Sequence, residues 1–585
     1  MNTLKRHSSL VLLTAGLAFV AAGCAPSPSN ESSDSDSAPR EQVQQPAEPS
    51  TESPAPTELR EETQVTVTGS RVRREAELAQ RAMSDSAVPG AQTLAHHPAP
   101  PPMSPPQRHA DRPVDRENYA SIDTNPIKRV AEEPVSTFSI DVDTGSYSNV
   151  RRMLREGRLP PEAAVRVEEM INYFSYDYPV PEAGGAPFSV SVDQAVTPWN
   201  PNTRLVQIGL KGYQPDAEAI PAANLVFLLD VSGSMNSTDK LPLLVNSLKM
   251  LVTELDGDDR VAIVVYAGST GLVLESTPGD QDATIKAALD RLSAGGSTNG
   301  GAGIELAYAQ ARQGFIEGGV NRVILATDGD FNVGTVDFDS LVDRVERQRE
   351  SGIALTTLGF GTGNYNDHLM EQLADAGNGN HAYIDSLNEA RKVLVDELTA
   401  TMLTIAQDVK IQIEFNPAVV AEYRLIGYEN RMLEREDFNN DQVDAGDVGA
   451  GHTVTALYEI ALVGSGGERI DGLRYGTDQP ATASDGSSRE LAFLRLRYKQ
   501  PGEDSSRLME QAIERRDSAI SNRLAFAASV AAFGQYLRGG QYLEGFGLGD
   551  IQALAQPARG DDPFGYRAEF IQLLRLAESQ SLAKR

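Results

Sequence analysis

Cysteine is nearly absent from this 585-residue chain: Cys24 is the only one. A lone cysteine excludes disulfides within the chain and clusters of thiolate metal ligands. Histidine is also scarce, with 7 in all. None is paired outside residues 24–133, and no H-E-x-x-H, G-x-S-x-G or P-loop pattern occurs, so the familiar signatures of zinc, serine and nucleotide hydrolysis are missing. Positive charge is short: 52 Lys and Arg against 82 Asp and Glu leave a net charge of -30. Without a basic cluster to neutralise phosphates, nucleic acid is excluded as a partner class. The apolar run at residues 10–22 is too short to span a bilayer as a stable helix.

That run has another reading. Lys5 and Arg6 precede it, and it closes on Val20-Ala21-Ala22-Gly23-Cys24, the layout of an export signal. The closing residues resemble a bacterial lipobox, which implies removal of residues 1–23 and a lipid on Cys24. An ordinary cleaved signal with an incidental cysteine is the alternative. Ala25 stands where an inner-membrane retention signal would have Asp, so in a host with two membranes the outer one is expected. Residues 24–133 are rich in Pro, Ser, Glu and Ala, too poor in apolar surface to order themselves, and read as a tether. Within it, Q-V-T-V-T-G-S-R-V-R-R at residues 64–74 resembles a segment near the start of TonB-dependent receptors; a basic patch in a linker is the plainer reading.

At this length two or three domains are expected beyond the tether. The organising stretch is Asn224 to Asn236, N-L-V-F-L-L-D-V-S-G-S-M-N. Leu225 to Leu229 is an unbroken apolar run too short for a helix, as a parallel strand buried on both faces reads. It ends in Asp230, Ser232 and Ser234, at the strand end where open α/β sheets bind ligands. Gly295-Gly296-Ser297-Thr298-Asn299 adds a hydroxyl at Thr298. Arg322-Val-Ile-Leu-Ala-Thr-Asp328 is a second apolar strand ending in a carboxylate. Two carboxylates and three hydroxyls are hard oxygen donors suited to Mg²⁺.

This set resembles the metal-ion-dependent adhesion site of von Willebrand factor type A domains. The resemblance implies a doubly wound, mostly parallel α/β sheet and a divalent cation, Mg²⁺ or else Mn²⁺ or Ca²⁺, on Asp230, Ser232, Ser234, Thr298 and Asp328. It also implies a protein partner that presents an acidic residue to the metal. Residues 222–403 carry the alternation of strands and helices that such a sheet needs. One long helix is expected at residues 388–403 to close it.

Residues 134–221 read as an α+β segment with strands at 136–142, 188–196 and 204–210. Residues 404–585 read as strands at 408–415, 420–428, 452–463 and 490–498, followed by helices. Strands on both sides suggest that the A-type domain is inserted in a β-rich domain. V-S-T-F-S-I-D-V-D-T-G-S-Y from Val135 and A-G-H-T-V-T-A-L-Y-E around His452 resemble a bacterial exported family with this architecture and a C-terminal region of undefined role.

Two further motifs carry paired carboxylates. Asp141-Val-Asp143 could be a phosphatase pair, but Gly145 stands where that family wants Thr or Val, so a turn or helix cap is expected. The loop Asp437 to Asp447 begins with calcium-like spacing but lacks the Gly and Glu of an EF-hand, so an acidic turn is expected. No catalytic residue is expected. The leading function is metal-dependent protein binding at the cell envelope. The alternative is a regulatory or assembly partner of an envelope or AAA⁺ complex. The oligomeric state is open.

Overall fold

In the computed structural model, residues 117–182, 184–216, 219–296, 300–329, 338–473 and 489–584 are described. The chain enters through a short strand, β1 (Lys128–Arg129), then β2 (Val135–Ser139) and a helix, Gly145–Arg155. Two long strands follow, β3 (Phe188–Thr197) and β4 (Asn200–Gly212), which form a hairpin from Phe188↔Gly212 to Thr197↔Asn200.

Next comes the α/β unit. β5 (Ala223–Asp230) is buried along its whole length, as its unbroken apolar run requires. Burying each of its large side chains contributes roughly 1.5–3 kcal/mol. β6 (Arg260–Tyr266) and β7 (Thr270–Pro278) lie to one side; β8 (Val320–Thr327), β9 (Ala354–Phe360) and β10 (His381–Ile384) lie to the other. The strand order is β10-β9-β8-β5-β6-β7, parallel throughout except for the edge pair β6 and β7. This is the doubly wound sheet expected.

Side-chain alternation along β5 feeds two cores. Leu225, Phe227 and Leu229 pack with Leu244, Leu248 and Leu251 of the helix Leu241–Thr253. Val226 and Leu228 pack with Ile304, Ala307 and Tyr308 of the helix Gly300–Gln313. The period of two in a strand places successive residues on opposite faces. Because β6 and β8 flank β5 on opposite sides, the chain reverses winding direction there, and the carboxyl ends of β5 and β8 flank the crevice where such sheets bind ligands.

The flanking strands interleave. β11 (Thr404–Phe415), β12 (Val420–Ile426), β13 (Val448–Gly449), β14 (Thr453–Leu462), β15 (Glu490–Lys499) and β16 (Arg507–Glu514) follow the α/β unit. One sheet runs β1-β12-β14-β4-β3, and the other runs β13-β11-β15-β16 with β2 paired to β11. Both are built from strands before and after the α/β unit, which is therefore inserted in a β-rich body. Their facing sides share a core that includes Phe138, Ile208, Ile411, Ile413 and Tyr458. The C-terminal helices Asn522–Leu537, Leu548–Ala555 and Tyr566–Lys584 pack with Leu205, Ile426 and Leu457 of the first sheet and with Trp199 in the turn between β3 and β4.

Three details depart from expectation. The fold already holds the chain at Glu117, before the Pro134 expected: β1 pairs with β12, and the Asn125 side chain donates to the backbone of Leu425 and Gly427. These are polar anchors, so hydropathy gives no sign of them. The helix expected over residues 388–403 is broken into Leu387–Arg391, a wider π turn at Lys392–Asp396 and Leu398–Met402. β16 was not expected, because its side chains are mostly exposed and show no apolar alternation.

Candidate metal centre

Asp230 is the last residue of β5 and is fully buried. Its Oδ1 accepts from the backbone N–H of Ser232 at 2.8 Å, the bond by which an aspartate folds the following turn onto itself. Its Oδ2 accepts from the Thr327 hydroxyl on the neighbouring strand at 2.9 Å. The turn continues into Gly233–Asn236, where the Ser232 and Ser234 hydroxyl oxygens lie 2.9 Å apart. Asp328 follows the last residue of β8 and is also fully buried. Four of the five expected ligands, Asp230, Ser232, Ser234 and Asp328, thus lie at the carboxyl ends of two adjacent parallel strands or on the turns that leave them.

Thr298 and Cys24 lie outside the described residues, as does the stretch at 64–74. The two glycines before residue 297 are described. Gly295 donates to the carbonyl of Val231 at 2.8 Å, and the carbonyl of Gly296 accepts from Gly233 at 3.0 Å. The glycine-rich loop is therefore bonded to the serine turn. Gly296 has φ +88 and packs close to the backbone of Gly268, where an added Cβ would be crowded.

The donor set fits a hard divalent cation. Burial pushes the Asp230 carboxyl up to about 6, and the negative charge of Asp328 adds to the effect. Two carboxylates held together away from water cost free energy that a cation would offset. Among the described residues no group of three or more His, Cys, Asp or Glu could hold a metal ion. A cation here would therefore need the serine hydroxyls as well as the two carboxylates.

Two residues at the site escaped the sequence reading. Thr327 steadies Asp230 across the strands. Lys240 donates to Asp328 Oδ2 at 2.8 Å and to Asn364 Oδ1 at 2.9 Å. One signal was available for Lys240: a cation directly before a helix opposes the helix dipole. Nothing local marks Thr327.

The Asp141-Val-Asp143 motif and the loop Asp437 to Asp447 are absorbed by the fold. Asp141 Oδ1 accepts from Asp143 N at 2.9 Å, Asp143 Oδ1 accepts from His381 N at 2.8 Å, and Arg431 pairs with both carboxylates. In the acidic loop, Asp437 accepts from Glu434 N, Asp441 accepts from Ser506, and Asp444 pairs with Arg349. These carboxylates serve separate partners rather than one centre.

Three family profiles match the chain: von Willebrand factor over residues 113–207, von Willebrand factor type A domain over 224–397, and the C-terminal region of uncharacterized protein YfbK over 400–580. An uncharacterized protein of Synechocystis sp., sll0103, is 28% identical over 32% of this chain and 43% of its own length. Among solved structures, a von Willebrand factor type A protein from Catenulispora acidiphila is 16% identical, covering 67% of this chain and 91% of that one with a TM-score of 0.37. BatB from Bacteroides thetaiotaomicron is 24% identical, covering 30% and 97%, with a TM-score of 0.26. Uncharacterized protein YfbK of Escherichia coli strain K12 is 51% identical over 466 residues, 79% of this chain and 81% of that protein. The chain therefore belongs to the YfbK family, in which a von Willebrand factor type A domain sits between a von Willebrand segment and the YfbK C-terminal region.

Proposed function

We propose that this protein is a divalent-cation-dependent protein-binding module held at the cell envelope by a lipid on Cys24, and that it is not an enzyme. Asp230, Ser232, Ser234 and Asp328, with Thr298 from the glycine-rich loop, would hold Mg²⁺ or a similar ion. The chemistry it would supply there is acceptance of a carboxylate oxygen from a partner. The observation that carries this reading is the convergence of Asp230, its two neighbouring serine hydroxyls and Asp328 at the winding reversal of the sheet. The surrounding chain is acidic, with a net charge of -30, so an acidic partner would be repelled everywhere except at the metal. That contrast favours selectivity.

Crosslinking on intact cells, with and without chelator, tests the reading. Partners captured in a chelator-sensitive way by the wild type and lost in Asp230→Ala support it. Capture that ignores both the chelator and the substitution contradicts it.

A further inference from the structure

Lys240 stands where a cation is disfavoured. It immediately precedes the helix Leu241–Thr253, at the end whose dipole repels positive charge, and its side chain is only 8% exposed. The fold makes room for it. Its stem runs against Gly361, which has φ +76 and lies so near that any Cβ there would overlap the lysine methylenes. The ammonium is fixed from two sides, by Asp328 Oδ2 at 2.8 Å and Asn364 Oδ1 at 2.9 Å. The loop carrying Asn364 is itself anchored, because Gly363 N donates to Glu117 Oε1 at 3.1 Å and Glu117 pairs with Arg152 at 2.9 Å. A surface-type ion pair would need none of this.

We propose that Lys240 is a specificity-determining residue, a built-in counter-cation that trades metal affinity for affinity toward a carboxylate ligand. The proposal rests on the metal-dependent reading above. Its basis is the charge at the site. Among the described groups, the Asp230 and Asp328 carboxylates and the Lys240 ammonium sum to one negative charge. With a divalent cation held there the sum would be one positive charge, which an anionic ligand would neutralise. Without Lys240 the same cation would leave the site neutral, with less attraction for an anion. The ammonium also repels the cation and occupies an oxygen of Asp328, so it weakens metal binding. One residue thus pushes the two affinities in opposite directions, which a merely structural lysine would not do.

The test measures Mn²⁺ binding to the full chain by the electron paramagnetic resonance of the free ion, with and without sodium acetate as the carboxylate probe. Wild type is compared with Lys240→Met, Lys240→Gln and Asp230→Ala. Removing the charge is expected to tighten Mn²⁺ binding on the order of tenfold. Acetate is expected to tighten Mn²⁺ binding in the wild type and to do so less in both Lys240 variants. Equal affinities and equal acetate effects across wild type and Lys240 variants overturn the proposal. So does weaker Mn²⁺ binding in both variants, which assigns the lysine a structural role. Mn²⁺ binding that survives intact in Asp230→Ala contradicts the metal-site reading itself, and the proposal falls with it.

Discussion

The hydroxyl of Thr327 donates to Oδ2 of Asp230 at 2.9 Å, joining the ends of the adjacent parallel strands β8 and β5. This bond orients a buried carboxylate whose other oxygen is held by the serine turn. Replacing Thr327 by Val keeps the shape and removes the donor. The expected cost is about 1–2 kcal/mol of stability, as for a buried acceptor that loses its partner. A severalfold loss of Mg²⁺-induced thermal stabilisation should accompany it. Denaturant titration and thermal melts with and without Mg²⁺ measure both effects.

Gly361 permits the approach of Lys240, and its φ of +76 lies in the left-handed region. Gly361→Ala should destabilise the fold by about 1–3 kcal/mol, from backbone strain and from displacement of the lysine stem. Chemical denaturation measures the loss. A substitution there without effect would mean that the lysine has free space around it.

Arg431 is the hub of a charge network, pairing with the buried Asp141 at 3.2 Å, Asp143 at 3.5 Å and Glu371 at 3.1 Å and with the half-exposed Asp375 at 2.6 Å. It ties the segment after β2 to the helix Asp367–Ala376 of the α/β unit. Arg431→Met leaves the buried Asp141 and Asp143 without their cation and should cost about 3–5 kcal/mol. Loss of a cooperative melt, or a large fall in its midpoint, is the expected result by calorimetry.

Glu168 provides a pH-dependent prediction. Burial, with the charges of Glu429 and Asp141 adding, pushes its carboxyl up to about 7. A folded-state value above the unfolded one favours the protonated form in the fold. The contribution to stability is fully present below the unfolded value of about 4.3 and is lost as pH rises through 7. Glu168→Gln should therefore be more stable than wild type at pH 8, by roughly 3–4 kcal/mol, and nearly equal at pH 4. Melting curves across that range check the sign; a gain largest at low pH would contradict it.

The sheet and most of its candidate site were legible because each rests on a local pattern. Leu225–Leu229 and Val323–Ala326 are short unbroken apolar runs, and each is followed by an aspartate one or two residues later. Burial on both faces of a parallel sheet demands that pattern. Thr327 and Lys240 act through a neighbour that folding supplies, Asp230 for one and Asp328 for the other; nothing local marks Thr327, and Lys240 shows only its unfavourable place before a helix. The anchoring of Glu117 through Arg152 was hidden for the same reason. The break at Lys392–Asp396 was hidden because the composition of that stretch suits a regular helix, and there Lys392 turns to pair with Glu397.

Asp230, Ser232, Ser234 and Asp328 are proposed to bind one divalent cation. Isothermal titration of Mg²⁺ into the full chain tests this most directly. Saturable binding to one site is expected in the wild type and none in Asp230→Ala. Absence of saturable binding in the wild type, or identical binding in the variant, would contradict it.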